Sequence, residues 1–537
     1  MRSWRGNPWA VLLTVALGFF MTLLDLTIVN IALPNLIDDF DASLDTALWI
    51  VNAYALALAT LLITAGRLGD LKGPRTLYVL GVLLFTAASL ACALSQNGAE
   101  LIAARAVQGI GAALLVPQTM TLIMATFPAD RRGTALGVWG AVGGVATIAG
   151  PTLGGFLVHT LDWRWIFLVN VPIGVIVLIL SFITIPDMRP GRSHQFDLTG
   201  VALATAALFC IAFALNEGER FDWSGGIWTL LAGGVVLLGV FVWHQKSRQS
   251  GEPLVPFALF RARNFAVMTV IASIIAFALI GLMVPLNLYL QSGLGMSALR
   301  AGLVMAPSSA ATLLISPVAG KLSDRIGGKW LLLFGLLTFA IGLYLTGAVA
   351  ETDSQWHTFL LPMIVVGLGA GCLMAPMATE AMRHVPPQLA GAASGINNTV
   401  RQIGSVVGAA AVGALMQNRL AANLPDEVAR QAATLPAEHR KAFLEGFRSA
   451  AEGGVQAGGG RSDAVHVVVA HLPSAVLAQA TRVAESVFGH SFLSMMRSVF
   501  WLPVGLLIVG ALVCLTVRGR DSATPAPAAP RPEPASH

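Results

Sequence analysis

Four charged side chains stand where charge is costly. Asp25, Arg105, Glu380 and Arg401 lie inside long apolar runs. At a bilayer centre such a charge costs at least about 2.5–3.5 kcal/mol, so each needs a partner or a task. Asp25 is the one carboxylate deep within a run, and a carboxyl there can load a proton on one side and release it on the other. It can equally hold a cationic ligand in exchange for that proton. Met21, Thr22, Ile28, Val29 and Ala32 share its helical face, so its surroundings are expected to be dry and to suit a lipophilic molecule. Arg105, in the stretch Arg105-Ala-Val-Gln108-Gly109, would time proton release if it came close. Arg401 is mid-run in the thirteenth run, where a static and a working role both stay open. Glu380 sits near a run's end and is expected simply to reach water.

Other chemistries are missing from the sequence. There is no nucleophile–base pair, no HExxH-like or other metal-ligand spacing, and no GxxxxGK[ST] loop for a nucleotide. Cys92, Cys210, Cys372 and Cys514 lie one per distant apolar segment and read as small buried hydrophobes. A membrane-bound enzyme, an ATP-driven pump and a sensor or scaffold are therefore disfavoured, and no cofactor or metal is expected. The net charge of +5 does not signal nucleic acid, because the basic residues sit in short loops between apolar runs.

Two further patterns accompany the buried charges. The stretch GRLGDLKGPR at 66–75 recurs as GKLSDRIGGK at 320–329, an offset of 254 (320 − 66). Glycines there allow a tight turn, and Asp70 and Asp324 can accept hydrogen bonds from helix-start N–H groups. Lys72 and Arg75 hold the first copy at a basic membrane face. The same offset carries Gly150, Gly154 and Gly155 onto Gly404, Gly408 and Ala409. Gly137, Gly140, Gly143, Gly144, Gly150, Pro151, Gly154 and Gly155 crowd one run, where small residues permit close helix approach and Pro151 removes a helical hydrogen bond. That helix is expected at the interface between halves, shaping their rocking.

The elements that carry these residues follow from composition. Of 537 residues 55% are hydrophobic and 11% charged, and mean hydropathy is +0.73. So few charges cannot cover a soluble protein of this length, which leaves an all-α polytopic membrane protein. Runs of about 20 apolar residues each predict some fourteen transmembrane helices. The repeat divides them into two six-helix halves, 1–190 and 263–517, with an inserted pair in 191–262. Arg67, Lys72, Arg75, Arg131, Arg132, Arg189, Arg192, Lys246, Arg248, Arg261, Arg263, Lys321, Arg325, Lys329 and Arg383 fall on one side. With Arg2, Arg5, Arg518, Arg520 and Arg531 they place both termini in the cytoplasm. The first loop on the other side is acidic, with Asp38, Asp39, Asp41 and Asp45. Residues 418–497 form a long outer segment, helical around Asp426–Arg448 and again after Asp463, with a flexible glycine-rich stretch at 453–460. The Ala/Pro-rich tail 518–537 reads as disordered.

These residues together resemble the fourteen-span drug:proton antiporter family of the major facilitator superfamily. Gly66–Leu77 is similar to the superfamily's loop between spans 2 and 3. Leu101–Ala113 is similar to its span-4 motif, and Gly137–Gly155 to the antiporter motif of span 5, with Ala146 in place of the usual glycine. The stretches 24–34, 163–174 and 253–265 resemble segments of the fourteen-span branch. The resemblance spans nearly the whole chain except 418–485 and the tail. It implies the major facilitator fold in a bacterial inner membrane, and export of amphipathic, cationic or lipophilic toxic compounds against a proton gradient. One dedicated metabolite or antibiotic is the alternative substrate. It assigns proton or cation handling to Asp25 and Arg105 and conformational switching to Asp70 with Arg75, and by the repeat to Asp324. It also sets Asp70 at the start of span 13 near Gly391, and Asp324 at the start of span 5 near Thr134. Whether a periplasmic adaptor docks on the outer segment stays open.

Overall fold

The computed structural model describes residues 4–517 except 188–196, 219, 222, 250–252, 384, 453–460 and 471. The expected flexible glycine run, the disordered tail, and the loop and terminal basic residues Arg2, Arg189, Arg192, Arg518, Arg520 and Arg531 lie outside the described residues. Among those described there is no strand, and thirteen helices are long and apolar enough to cross a membrane. The helix Arg132–Thr160 is 29 residues long and packs among them. At 1.5 Å per residue it rises about 43 Å, enough for a ~30 Å hydrocarbon core, and it brings the spanning helices to the expected fourteen.

The first six are α1 (Pro8–Phe40), α2 (Leu44–Lys72), α3 (Pro74–Leu94), α4 (Gly98–Thr126), α5 (Arg132–Thr160) and α6 (Asn170–Thr184). Side-chain caps start several of them: Ser43 Oγ accepts from Thr46 N–H, and Asn97 Oδ1 accepts from Glu100 N–H while the Glu100 carboxylate accepts from Gln96 N–H and Asn97 Nδ2. Between α2 and α3 the chain turns at Gly73, whose φ of 94° a side chain would resist, and Pro74 opens α3. Gly327, at the equivalent place in the second copy, has φ 86°. Before α6 a short helix, Trp165–Leu168, breaks what the sequence shows as one run. On the acidic face Trp163 Nε1–H donates to Asp39 at 3.0 Å. That bond, with Arg164 beside it, holds the Asp39 carboxyl below its usual range despite the opposing effect of burial.

Next come the inserted hairpin, α7 (Leu198–Glu217) and α8 (Gly225–Ser247), and then α9 (Arg263–Leu288), α10 (Ala298–Ile326), α11 (Lys329–Val349), α12 (Leu360–Met382) and α13 (Ala390–Ala432). They are followed by α14 (Ala437–Glu452), α15 (Arg461–Val469) and α16 (Ser474–Cys514). Helices α1–α6 pack on one another, as do α9–α13 with α16. The two groups meet chiefly where α5 lies on α10 and α2 on α13. The hairpin packs through α7 onto α2 and α13, across that second seam.

The outer segment is more built than its polarity suggests. Instead of ending near 417, α13 continues to Ala432, and α16 begins at Ser474 rather than near 498. The reason is a continued apolar stripe. Leu420, Leu424, Val428 and Ala432 recur every four residues and pack into the same core as Phe277 and Phe339. Phe443, Phe447, Phe488 and Phe492 stack in series at centroid distances of 5.2, 5.3 and 6.4 Å. The described residues of 418–497 thus form a helical cap whose core is continuous with the second half.

Candidate functional site: a buried ion pair and two carboxylate latches

Asp25 and Arg105 come together, both fully buried. Arg105 Nη1 donates to Asp25 Oδ2, and also to Gln108 Oε1 at 2.7 Å. The other carboxylate oxygen accepts from Gln108 Nε2 at 2.9 Å and from Asn170 Nδ2 at 3.1 Å. Gln108 and Asn170 both donate to Ser89 Oγ at 3.2 Å, which in turn donates to the Phe167 carbonyl at 3.0 Å. Arg105 Nε donates to the Ile50 carbonyl at 3.1 Å, and its guanidinium stacks 4.4 Å from the Tyr54 ring centre. Four helices, α1, α3, α4 and α6, therefore share one polar cluster, with α2 closing it through Ile50 and Tyr54. Arg105 Nη2 and Asn170 Oδ1 have no hydrogen-bond partner in it.

The apolar face of α1 around Asp25 is dry, as expected, and it packs against protein. Met21, Ile28, Val29 and Ala32 are fully buried and Thr22 nearly so, packed among neighbouring helices of the first half. The amphipathic stripe is satisfied by protein, which the sequence could not distinguish from a ligand face. The sequence also gave no role to Ser89, Asn170 or Tyr54. The only signal was a polar side chain entering an apolar run at Asn170.

The second feature is a pair of latches. Asp70 Oδ1 accepts from Gly391 N–H and Oδ2 from Ala392 N–H, both at 2.7 Å. Asp324 accepts from Gly133 N–H at 2.7 Å, Thr134 N–H at 2.8 Å and the Thr134 hydroxyl at 2.9 Å. Each carboxylate sits at the start of a helix in the opposite half, where unpaired N–H groups and the helix dipole favour an anion. The close approach needs glycines. A Cβ on Gly66 would strike the Gly391 carbonyl, and one on Gly320 the Gly133 carbonyl. Gly391 and Gly133 are 258 apart (391 − 133), so α13 has drifted about one helical turn from the 254 offset of the loops.

The other candidates fall elsewhere. Arg75 Nη2 donates to the Phe182 carbonyl at 3.4 Å and stacks on its ring, so it ties α3 to α6 within one half. Glu380 does not reach water. It is 2% exposed and accepts from Gly328 N–H at 2.7 Å, Arg383 at 2.7 Å and Asn264 at 3.2 Å. Those three donors compete successfully with solvent and pin the Asp324 loop to α9 and α12. Arg401 Nη2 donates to Asn398 Oδ1 at 3.1 Å, and no carboxylate pairs with it among the described residues.

The glycine helix divides in two. A Cβ on Gly137 would come 2.6 Å from the Ser316 carbonyl, and one on Gly144 3.0 Å from that of Ser309, so these face the second half. Gly150 and Gly154 instead abut Thr27 and Ile28 of α1, in their own half, and Gly155 meets nothing within 4 Å. The expected interface role thus belongs to the first part of α5. The side chain of Pro151 lies outside the described residues.

Comparison with known proteins agrees with this geometry. The Major Facilitator Superfamily model matches residues 15–409. An uncharacterized MFS-type transporter of Mycobacterium tuberculosis is 42% identical over 427 residues, 79% of this chain and 73% of that one. The tetracenomycin C resistance and export protein of Streptomyces glaucescens is 36% identical over 435 residues, 80% of each chain. The multidrug resistance protein Stp of Mycobacterium tuberculosis is 35% identical over 425 residues, 78% of each. Among solved structures the human organic anion transporter MFSD10 shares the fold at TM-score 0.57 and 14% identity, over 93% of this chain and 99% of that one. The proton:xylose symporter XylE does so at 0.54 and 17%, over 75% and 87%. A polytopic helical fold, two halves latched by buried carboxylates and these similarities converge: the chain belongs to the Major Facilitator Superfamily and is a multi-pass membrane transporter.

Proposed function

We propose that the protein is a proton-driven antiporter that exports amphipathic, cationic or lipophilic toxic compounds across a bacterial inner membrane. The observation that carries the coupling is the Asp25–Arg105 pair. A carboxylate buried with one arginine as its charged partner changes the whole cluster's bonding when it takes a proton. Loading from outside and release inside then drives exchange. One charge crossing 100 mV supplies about 2.3 kcal/mol, somewhat under a fiftyfold gradient. The charge asymmetry supports a cytoplasmic location for the face bearing Asp70 and Asp324, as for both termini. With both latches made, that face is shut, and the state supports release to the outside. Relatives named for multidrug resistance support a broad range of substrates. Those named for tetracenomycin C and methylenomycin A resistance favour a second reading, export of one antibiotic. An adaptor, if the protein uses one, would meet the cap.

The test is transport in proteoliposomes with an imposed pH gradient, using ethidium as cationic probe and recording proton release. Wild type should exchange ethidium for protons, and Asp25→Asn should not. Uptake that ignores the gradient would end the proton reading. Proton release that persists in Asp25→Asn would move the coupling site, with Glu380 next in line.

A further inference from the structure

One of the four charges inside the apolar runs is left unmatched. Asp25 and Arg105 pair with each other, and Glu380 pairs with Arg383. The Arg401 guanidinium makes a single hydrogen bond, from Nη2 to Asn398 Oδ1 at 3.1 Å, and no ion pair among the described residues. Its Nε and Nη1 have no partner. Arg67 Nε and Arg105 Nη2 also lack a partner, but protein encloses both. The two free nitrogens of Arg401 instead keep open surface, and the side chain is partly exposed.

The register of α13 says where that open surface points. Arg401 stands eleven residues into the helix (401 − 390), about 16 Å along its axis and so near the middle of a ~30 Å hydrocarbon core. At 3.6 residues per turn it falls within about 20° of Ser394, two turns back, whose hydroxyl donates to the Pro117 carbonyl of α4 at 2.9 Å. Asn398 lies between them and donates to the Ser394 carbonyl at 2.9 Å. On the adjoining face Gly404 and Gly408 abut Ser273 and Phe277 of α9. Val407, an apolar side chain 40% exposed, marks the lipid side about 120° away. Arg401 therefore points between α9 and α4, toward the first half and not toward lipid. Gly391 and the Asp70 latch lie ten residues back along the same helix (401 − 391), and Ser405, one turn further from that seal, is partly exposed too. The surface left open at Arg401 belongs to the interior between the halves.

We propose that Arg401 is an anion-binding residue of this interior and holds the ionised carboxylate of an amphipathic acid that the protein carries. The proposal rests on the export reading and deepens it, because it adds acids to a substrate range read as cationic or lipophilic. Charge selects the class. A lone cation in the middle of a membrane needs a counter-ion, and no described residue supplies one. Asp25 is fully buried and matched by Arg105, so it offers an arriving cation no free carboxylate in this state. A carboxylate takes charge-assisted hydrogen bonds from a guanidinium, which are shorter and stronger than neutral ones. A neutral ligand would leave the charge of Arg401 unmet, and a cationic one would add to it.

Pyrenebutyrate, pyrenebutanol and pyrenebutylamine share one apolar body and carry an anionic, a neutral and a cationic head. Their binding to the full-length protein is measured by calorimetry in nanodiscs of zwitterionic lipid near neutral pH, with empty nanodiscs subtracted. Wild type should bind pyrenebutyrate roughly tenfold or more tightly than pyrenebutanol, the worth of a hydrogen bond to a charged group. Pyrenebutylamine should bind more weakly than either. Arg401→Gln should bring pyrenebutyrate to within about twofold of pyrenebutanol, and Arg401→Lys, which keeps the charge, should restore part of the preference. If Arg401→Gln fails to fold, the head-group order in wild type and in Arg401→Lys decides. Binding of pyrenebutylamine by wild type as tightly as pyrenebutyrate would overturn the proposal. So would a carboxylate preference that survives Arg401→Gln, or an equal loss of all three ligands with no rescue by lysine. Export is read separately, as gradient-driven ethidium exchange in wild type. Its absence with Arg401-dependent pyrenebutyrate binding intact would refute the antiporter reading and leave the anion site standing.

Discussion

At the scale of single residues, the decisive fact is that Asp25 is bonded on both oxygens. Asp25→Asn leaves Arg105 as an uncompensated buried cation, and breaking one partner of such a pair costs about 3–5 kcal/mol. Loss of transport in that variant alone would therefore mix coupling with folding. The double variant Asp25→Asn/Arg105→Gln removes both charges. It is expected to recover most of the lost thermal stability in detergent while export stays absent. Recovery of export would show that the pair is structural. Asn170→Leu is a milder probe. It deletes one of the two amide donors to Asp25 Oδ1 and one to Ser89, at a cost of about 1–3 kcal/mol. It should shift the pH profile of transport, whereas a purely structural role would lower the rate equally at every pH.

Helices and loops carry the second set of consequences. Asp70→Asn and Asp324→Asn each weaken a carboxylate–helix-start contact worth about 0.3–2 kcal/mol, which changes the equilibrium between latched and unlatched states by about 1.7-fold to thirtyfold. Both variants should insert normally and transport poorly. Asp324 takes the Thr134 hydroxyl in addition to two helix-start N–H groups, so its loss should open that face more, measured as cysteine accessibility of the α5–α10 and α2–α13 seams. Wild-type transport by Asp70→Asn at normal abundance would refute the latch. The cap makes a different prediction from the one its polarity suggests. Shortening 421–452 to a linker strips Phe443 and Phe447 from Phe488 and uncovers the core beneath. At roughly 1.5–3 kcal/mol per buried large side chain, the melting temperature should fall clearly. A truncated protein as stable as wild type would show that the cap is decorative.

For the whole molecule, the contacts between halves gather near one face. Gly66, Gly391, Gly133 and Gly320 seal that face, and the α5–α10 contact extends inward to Gly144 and Ser309. Asp70 and Asp324 thus tie the two halves together at two symmetry-related seams. Tags after Lys72 or Lys329 should report the cytoplasm, and a tag at Gly458 the outside. A cytoplasmic signal from Gly458 would contradict both the charge asymmetry and the fourteen-helix arrangement. A single helix, α13, runs from the Asp70 latch to the cap, about 64 Å by its 43 residues, with Pro425 inside its outer part.

The sequence by itself determined the class of protein. An apolar run must satisfy its backbone internally in a bilayer, so long runs become helices whatever their neighbours are. It also marked Asp25 and Arg105, because charge is rare and costly in such runs, and Asp70 and Asp324, because the repeat related their two loops. What it could not decide was which face of each helix meets protein, lipid or ligand. In a membrane all three can be lined by the same apolar side chains, so periodicity carries no label. Only the packing of α1 against α3, α4 and α6 showed Asp25 fully buried inside one half. Only the helix register placed Gly150 and Gly154 on α1 while Gly137 faces the other half. The cap was hidden for a related reason: its apolar residues are spaced for contact with helices distant in sequence, and a polar average conceals them until those helices are brought alongside.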